Sequence, residues 1–185
     1  MTVRQVELQH VKPAPWRNGG GATRELLVWP RQEAWSVRVS VATIARSRPF
    51  SAFPGITRWF NVLSGDGVTL GFATSQRTLR AGDPPLCFDG ADAPTCELLG
   101  TATQDLNLMA PTHAGLLNMQ CATQGSSLQG TLLWRGLYVA APATLLVDGQ
   151  SHPAPAQSLL WSSAREACRW QFLGSAPAWW LSLAT

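Results

Sequence analysis

Three pairs of polar residues stand two positions apart inside runs that are otherwise largely apolar: Thr23 and Glu25, Arg38 and Ser40, and Asp105 and Asn107. In an extended strand, residues i and i+2 project to the same face, so each pair makes one polar patch on one side of a strand. The alternating residues Val37, Val39 and Val41, and likewise Leu106 and Leu108, then take the opposite, apolar side. Val37, Val39 and Val41 read as core. The face carrying Arg38 and Ser40 is therefore either solvent-facing or the wall of a polar cavity inside a barrel. Singly spaced arginines with a planar five-donor fork suit carboxylate recognition or internal ion pairs.

The stretch "PWRNGGGATREL", Pro15 to Leu26, leads into the first of these patches. Three consecutive glycines cost backbone entropy and call for unusual dihedrals or close approach of the backbone. They match neither the phosphate loop ending in Gly-Lys-Ser/Thr nor the Gly-x-Gly-x-x-Gly dinucleotide fingerprint. Two readings stay open: a bend between two strands, or a backbone passing close under a ligand, with Trp16 and Asn18 before it and Thr23 and Glu25 after it.

Other chemistry finds little support. His10, His113 and His152 are far apart, without the clustered N and O donors that a metal ion requires. No Gly-x-Ser-x-Gly elbow is present. His113 is the histidine to watch as an acid or base, and a loop position suits it equally. Cys87, Cys96, Cys121 and Cys168 lack Cys-x-x-Cys spacing and read as reduced, mostly buried small residues.

The elements that must position these residues are strands. Trp35–Ile44 alternates with a period of two, and "WFNVLSGDGVTLGF" reads as strand, Gly-Asp-Gly turn, strand. Further strands are expected at 26–29, 79–81, 86–88, 95–99 and 106–110, with a turn around 14–18. "LYVAAPATLLVDG" and "SLLW" continue the pattern. "CELLGTATQDLNLMA" (Cys96–Ala110) aligns without a gap on "WQFLGSAPAWWLSLA" (Trp170–Ala184), placing Leu108 over Ser182. The echo points to two related all-β units, closed or nearly closed to protect their edges. An immunoglobulin-like sandwich is the alternative.

The chain has 185 residues, 45% hydrophobic but only 14% charged, with nine tryptophans. That balance implies extensive buried surface, including a homodimer interface to which "PAWWLSL" could contribute, with core packing as the rival role. Residues 1–60 hold nine Lys or Arg against Glu7, Glu25 and Glu33, a net +6; the remainder holds five against eight, a net −3. The arginines are scattered rather than clustered, which argues against a nucleic-acid partner. No apolar run reaches membrane-spanning length, so no membrane partner is expected. The N-terminus lacks the apolar core of a signal peptide, and a cytoplasmic protein is expected.

In order and spacing, "WRNGGGATRE", "WSVRVSVATI", "FSAFPGITR", "FDG" and "DLNLM" resemble the motifs of the HutD/Ves family. The resemblance covers Trp16 to about Met109 most specifically. It implies a bicupin: two cupin-type (RmlC-like) antiparallel β-barrel or jelly-roll units, 1–110 and 111–185, whose strands can be exchanged, without the metal-ligand histidines of typical cupins. It further implies a non-catalytic accessory or regulatory protein without cofactor or metal, binding a small carboxylate such as the histidine-degradation intermediates formylglutamate or urocanate. A metal-free cupin-type enzyme acting on a small acid or sugar derivative is the alternative, with Glu25, Asp105 and His113 as acid or base candidates. The ligand site expected from the resemblance combines Trp16, Asn18, Gly19, Gly20, Thr23 and Glu25 with Arg38, Ser40, Arg58, Asp105 and Asn107. There the arginine pair would clasp a carboxylate, and Glu25 or Asp105 would orient the arginines or accept a ligand N–H.

Overall fold

The computed structural model describes residues 1–185 and contains eighteen strands joined by loops and three short 3-10 turns. No helix is long and apolar enough to cross a membrane. The strands are β1 (Arg4–Glu7), β2 (Ala14–Pro15), β3 (Gly21–Trp29), β4 (Val37–Ile44), β5 (Ile56–Ser64), β6 (Val68–Gly71), β7 (Gln76–Leu79), β8 (Leu86–Asp89) and β9 (Thr95–Leu98). They continue with β10 (Thr103–Pro111), β11 (Leu116–Ala122), β12 (Ser127–Gly130), β13 (Trp134–Val139), β14 (Ala143–Val147), β15 (Gln150–Ala154), β16 (Ser158–Ser162), β17 (Cys168–Leu173) and β18 (Ala178–Ala184).

Two compact units result: Val11–His113, and Ala114–Thr185 together with Met1–His10. The 1–110 and 111–185 division differs from this at the N-terminus. The reason is strand pairing, since β1 runs antiparallel to β16, with Arg4 opposite Trp161 and Glu7 opposite Ser158.

In the 11–113 unit, a six-stranded sheet in the order β2-β3-β4-β10-β5-β8 accompanies a three-stranded sheet β7-β6-β9. The apolar core joins Ile44, Phe60, Val62 and Phe88 of the first sheet to Val68, Leu70, Leu79 and Cys96 of the second. Each such side chain contributes roughly 1.5–3 kcal/mol on full burial. In the other unit, β1-β16-β13-β18-β11 accompanies β12-β17-β14-β15, and Leu137, Leu160 and Trp180 join Leu145, Trp170 and Phe172. The two topologies correspond strand for strand over β4-β10-β5-β8 and β11-β18-β13-β16, and over β7-β6-β9 and β15-β14-β17.

Some sequence expectations change and others hold. The strand–turn–strand segments around Gly65–Gly67 and Pro142 form as read, with each turn carrying the chain between sheets, since β5 and β6, like β13 and β14, lie in different sheets. The internal echo holds on β9 and β17, where Cys96 and Trp170 are both core. On the last strand it slips by one residue. The ungapped match sets Leu106 over Trp180, yet Trp180 is core while Leu106 shares a strand with, and faces away from, cavity-lining Asp105 and Asn107. A one-residue slip exchanges every side chain between faces. Finally, Trp179 and Trp180 are 4% and 2% exposed within the single chain, so neither offers surface to a second copy. Cys87 and Cys121 are exposed, against the expectation of mostly buried cysteines; all four are free thiols.

Candidate functional site

The polar pairs meet because β10 lies between β4 and β5. Asp105 sits opposite Ala42 and Val62, Asn107 opposite Ser40 and Phe60, and Met109 opposite Arg38 and Arg58. Thr23 and Glu25 of β3 extend these rows opposite Ala42 and Ser40. Beyond Glu25 the β3–β4 register shifts, leaving Leu26 as the extra residue of a bulge. The polar side of β4 therefore faces a cavity of about 340 Å³, lined by Thr23, Arg38, Ser40, Arg58, Asp105 and Asn107 among others. The solvent-facing alternative for Arg38 and Ser40 is not adopted. Val37, Val39 and Val41, on the other side, are at most 2% exposed.

Of the cations lining the cavity, Arg58 is the deepest, 6% exposed. Its Nη2 donates to Asn107 Oδ1 at 3.0 Å, and Asn107 Nδ2 in turn donates to Asp105 Oδ1. The guanidinium carbon lies 5.0, 5.5 and 5.1 Å from the ring centroids of Phe50, Phe53 and Phe88. Ring faces attract a cation but supply no lone pair. Arg58 Nε and Nη1 and Asp105 Oδ2 are left without hydrogen-bond partners. Burial lowers the Arg58 pKa to about 10, with Asp105 opposing and Arg38 assisting, so Arg58 stays charged at neutral pH. Burial likewise raises the Asp105 pKa to about 7, against the opposing pull of Arg58 and the Asn107 hydrogen bond.

Arg38 is less enclosed. Its Nε lies 2.7 Å from Glu25 Oε2, with the two side chains 28% and 31% exposed. The contact is ionic rather than an aligned hydrogen bond, since Nε has no acceptor in line with its hydrogen. At this exposure such a pair is worth little to stability.

The glycine stretch closes the β2–β3 loop beside the cavity. Trp16 N donates to Gly21 O, Trp16 Nε1 donates to Thr23 Oγ1 at 2.7 Å, and Asn18 Oδ1 accepts from Gly20 N at 3.0 Å. Gly19 has φ +67°, and a Cβ on Gly21 would lie 2.1 Å from Thr43 O. Gly19 and Gly20 are not brought to the cavity wall; they shape the loop that presents Trp16, Arg17 and Asn18 there.

Of the remaining expected residues, Glu25 reaches the cavity only through Arg38, and exposed His113 lies in the Thr112–Ala114 turn, outside the lining. Reading the sequence missed the aromatic surround of Arg58. Phe50 and Phe53 come from the β4–β5 loop, and "FSAF" shortly before Arg58 carried no periodic signal to place its rings.

The second unit supplies a comparison. Arg135 on β13 stands between β18 and β16 as Arg58 on β5 stands between β10 and β8, and it is fully buried. Its Nη1 and Nη2 donate to Cys168 O, Gly130 O and Glu166 O at 3.1–3.4 Å, with Cys168 Sγ also in contact. Arg135 is thus closed off by its own chain, whereas Arg58 borders open volume.

No three His, Cys, Asp or Glu side chains are placed to hold one metal ion, so these residues do not fit the metal centre common among cupins. The family model for HutD matches residues 8–180. The chain is 33% identical over 141 residues to an uncharacterized 21.2 kDa protein in the hutC 3' region of Pseudomonas putida, covering 75% of this chain and 69% of that protein. It is 35% identical over 109 residues to protein Ves of Cronobacter sakazakii, covering 56% of this chain and 60% of Ves. Among solved structures, the conserved protein of unknown function PA5104 from Pseudomonas aeruginosa PAO1 superposes with TM-score 0.90 at 25% identity, over 100% of both chains. HutD from Pseudomonas fluorescens SBW25, solved in a formate condition, superposes with TM-score 0.86 at 22% identity, over 99% of this chain and 98% of that one. The chain belongs to the HutD/Ves family and has its two-barrel cupin fold.

Proposed function

We propose that the protein is a non-catalytic, small-molecule-binding accessory or regulatory protein whose first barrel takes a small carboxylate. The observation that carries this reading is Arg58: a buried guanidinium with two unpartnered donor nitrogens beside a polar cavity. A buried cation left in that state is costly. Its counterpart Arg135 leaves only Nε unpartnered, its Nη1 and Nη2 donating to backbone carbonyls, while Arg58 has only Asn107 and three ring faces. A carboxylate supplies the missing acceptors, with Arg38 near the cavity mouth as the second cation. The family resemblance implies a histidine-degradation intermediate as ligand, which makes such acids the first to test.

Calorimetric titration with formylglutamate, urocanate, histidine, glutamate and formate tests the reading. Binding of at least one carboxylate is expected, and Arg38→Ala or Arg58→Met should weaken it by about 1.5–3 kcal/mol, the scale of a charged hydrogen bond. A folded wild-type protein that binds none of them removes this ligand class. A second reading, a metal-free enzyme, draws on the near-neutral Asp105 carboxyl, a value suited to proton transfer. Turnover of a candidate substrate followed by NMR, and lost in Asp105→Asn, would favour it instead.

A further inference from the structure

The cavity region is electrically balanced before any ligand enters. Arg58 faces Asp105 through Asn107, and Arg38 faces Glu25. Cys96, from β9, is the other titratable group coupled to Asp105, and its thiol is pushed up to about 12, so it stays neutral. Arg17 lines the cavity from the β2–β3 loop, but it is exposed and lies in the solvent-screened rim. A carboxylate that reaches Arg58 therefore meets a second carboxylate already there. Two carboxylates confined beside one guanidinium do not both ionise readily; one retains a proton. The protein supplies an atom for that proton, because Asp105 is 1% exposed and its Oδ2 has no partner while Oδ1 is occupied by Asn107.

Building on the carboxylate reading above, we infer that Asp105 enters the complex in its acid form, so that wherever Asp105 is ionised in the free protein the site takes up one proton with each carboxylate it binds. The proton resides on Asp105 Oδ2 and is donated toward a ligand oxygen, giving a short, strong O–H···O⁻ contact. Asn107 continues to bond Oδ1, and Arg58 is released from Asp105 as a counter-ion to serve the ligand. The one covalent change is the Oδ2–H bond, formed with a proton taken from the solvent; no bond between heavy atoms is made or broken. The near-neutral position of the Asp105 carboxyl means that this proton is within reach at ordinary pH, and the incoming negative charge raises the carboxyl further. The result is a pH-sensitive affinity built into a binding site that contains no histidine.

The test is calorimetric titration of the full chain with formate and with glutarate between about pH 5.5 and 8.5, at each pH in two buffers of different ionisation enthalpy. Uptake approaching one proton per carboxylate is expected above about pH 7, with affinity falling about tenfold per pH unit there. Asp105→Asn, whose amide N–H replaces the acid O–H, should bind with one pH-independent affinity and no proton uptake. A wild-type affinity that is flat or rises with pH overturns the inference, because Asp105 would then act as an ionised acceptor for a ligand N–H. So does a pH slope that survives in Asp105→Asn. Should that variant not fold, the buffer dependence of the wild type decides alone. Failure of the wild type at pH 5.5 to bind formate, glutarate or any of the compounds titrated above removes the carboxylate reading itself, and this inference with it; a carboxylate of that set that does bind takes the probes' place.

Discussion

Asp105 is where the chemistry and the stability of this protein meet. Folding raises its carboxyl from an ordinary 3.8 to about 7, so the folded state holds the proton more tightly than the unfolded chain does. The sign follows by linkage: the neutral acid favours the folded state at low pH, and that advantage is lost as pH rises from about 4 to about 7. Asp105→Asn removes the titrating group. The free-energy difference between variant and wild type should therefore shift in the variant's favour between about pH 5 and pH 8, by on the order of 2–3 kcal/mol. Urea midpoints at the two pH values measure this shift, and an unchanged difference would show that Asp105 is not the buried titrating group. Arg58 behaves differently under mutation. Methionine is unbranched and can fill the space among the Phe50, Phe53 and Phe88 rings, so Arg58→Met is the variant expected to separate charge from volume.

Among the elements, the β2–β3 loop shows how much local geometry the site requires. Gly21 pairs with Ile44, and its missing Cβ is the space that Thr43 O occupies. Gly21→Ala should therefore push β3 from β4 and cost about 1–3 kcal/mol, as overpacking typically does, with carboxylate binding weakened in the same variant. Gly19→Ala places a Cβ in open space and strains only the φ of +67°, so it should cost about 1 kcal/mol and leave β3 paired. Denaturant unfolding of the two variants separates the effects; equal costs would mean that the loop, not the strand contact, fixes the glycines. The alternation of Arg38 with Val37 and Val39, and of Asp105 and Asn107 with Leu106 and Leu108, was legible from a two-residue period alone. That the polar faces turn inward was not, because a period separates faces without saying which is wet. The Glu25–Leu27 bulge and the Phe50 and Phe53 rings were equally out of reach: a bulge is one unpaired residue, and the rings come from a loop without period.

For the molecule as a whole, chain order and unit membership part company. β1 is the first strand in sequence, yet it completes the five-stranded sheet at the edge of β16 in the unit formed by residues 114–185. Sequence motifs could not reveal this, since a four-residue strand pairing across more than a hundred residues leaves no local signature. The same remote pairing yields a selective outcome. Removing residues 1–7 from the full chain takes away every backbone partner that β1 offers along Leu159, Leu160 and Trp161, and uncovers the edge of β16 with its three central apolar residues, which can then pair with other chains. It also removes the Arg4 guanidinium from its place 5.0 Å over the Trp161 ring. The shortened protein should therefore show faster amide exchange across β16 and a greater tendency to self-associate, while exchange in β4, β5 and β10 and carboxylate affinity stay close to wild type. Hydrogen exchange resolved by peptide, with light scattering at several concentrations, reads both effects. Equal acceleration in β10 and β16 would show that β1 supports the entire chain and that the site does not rest on the 11–113 unit alone.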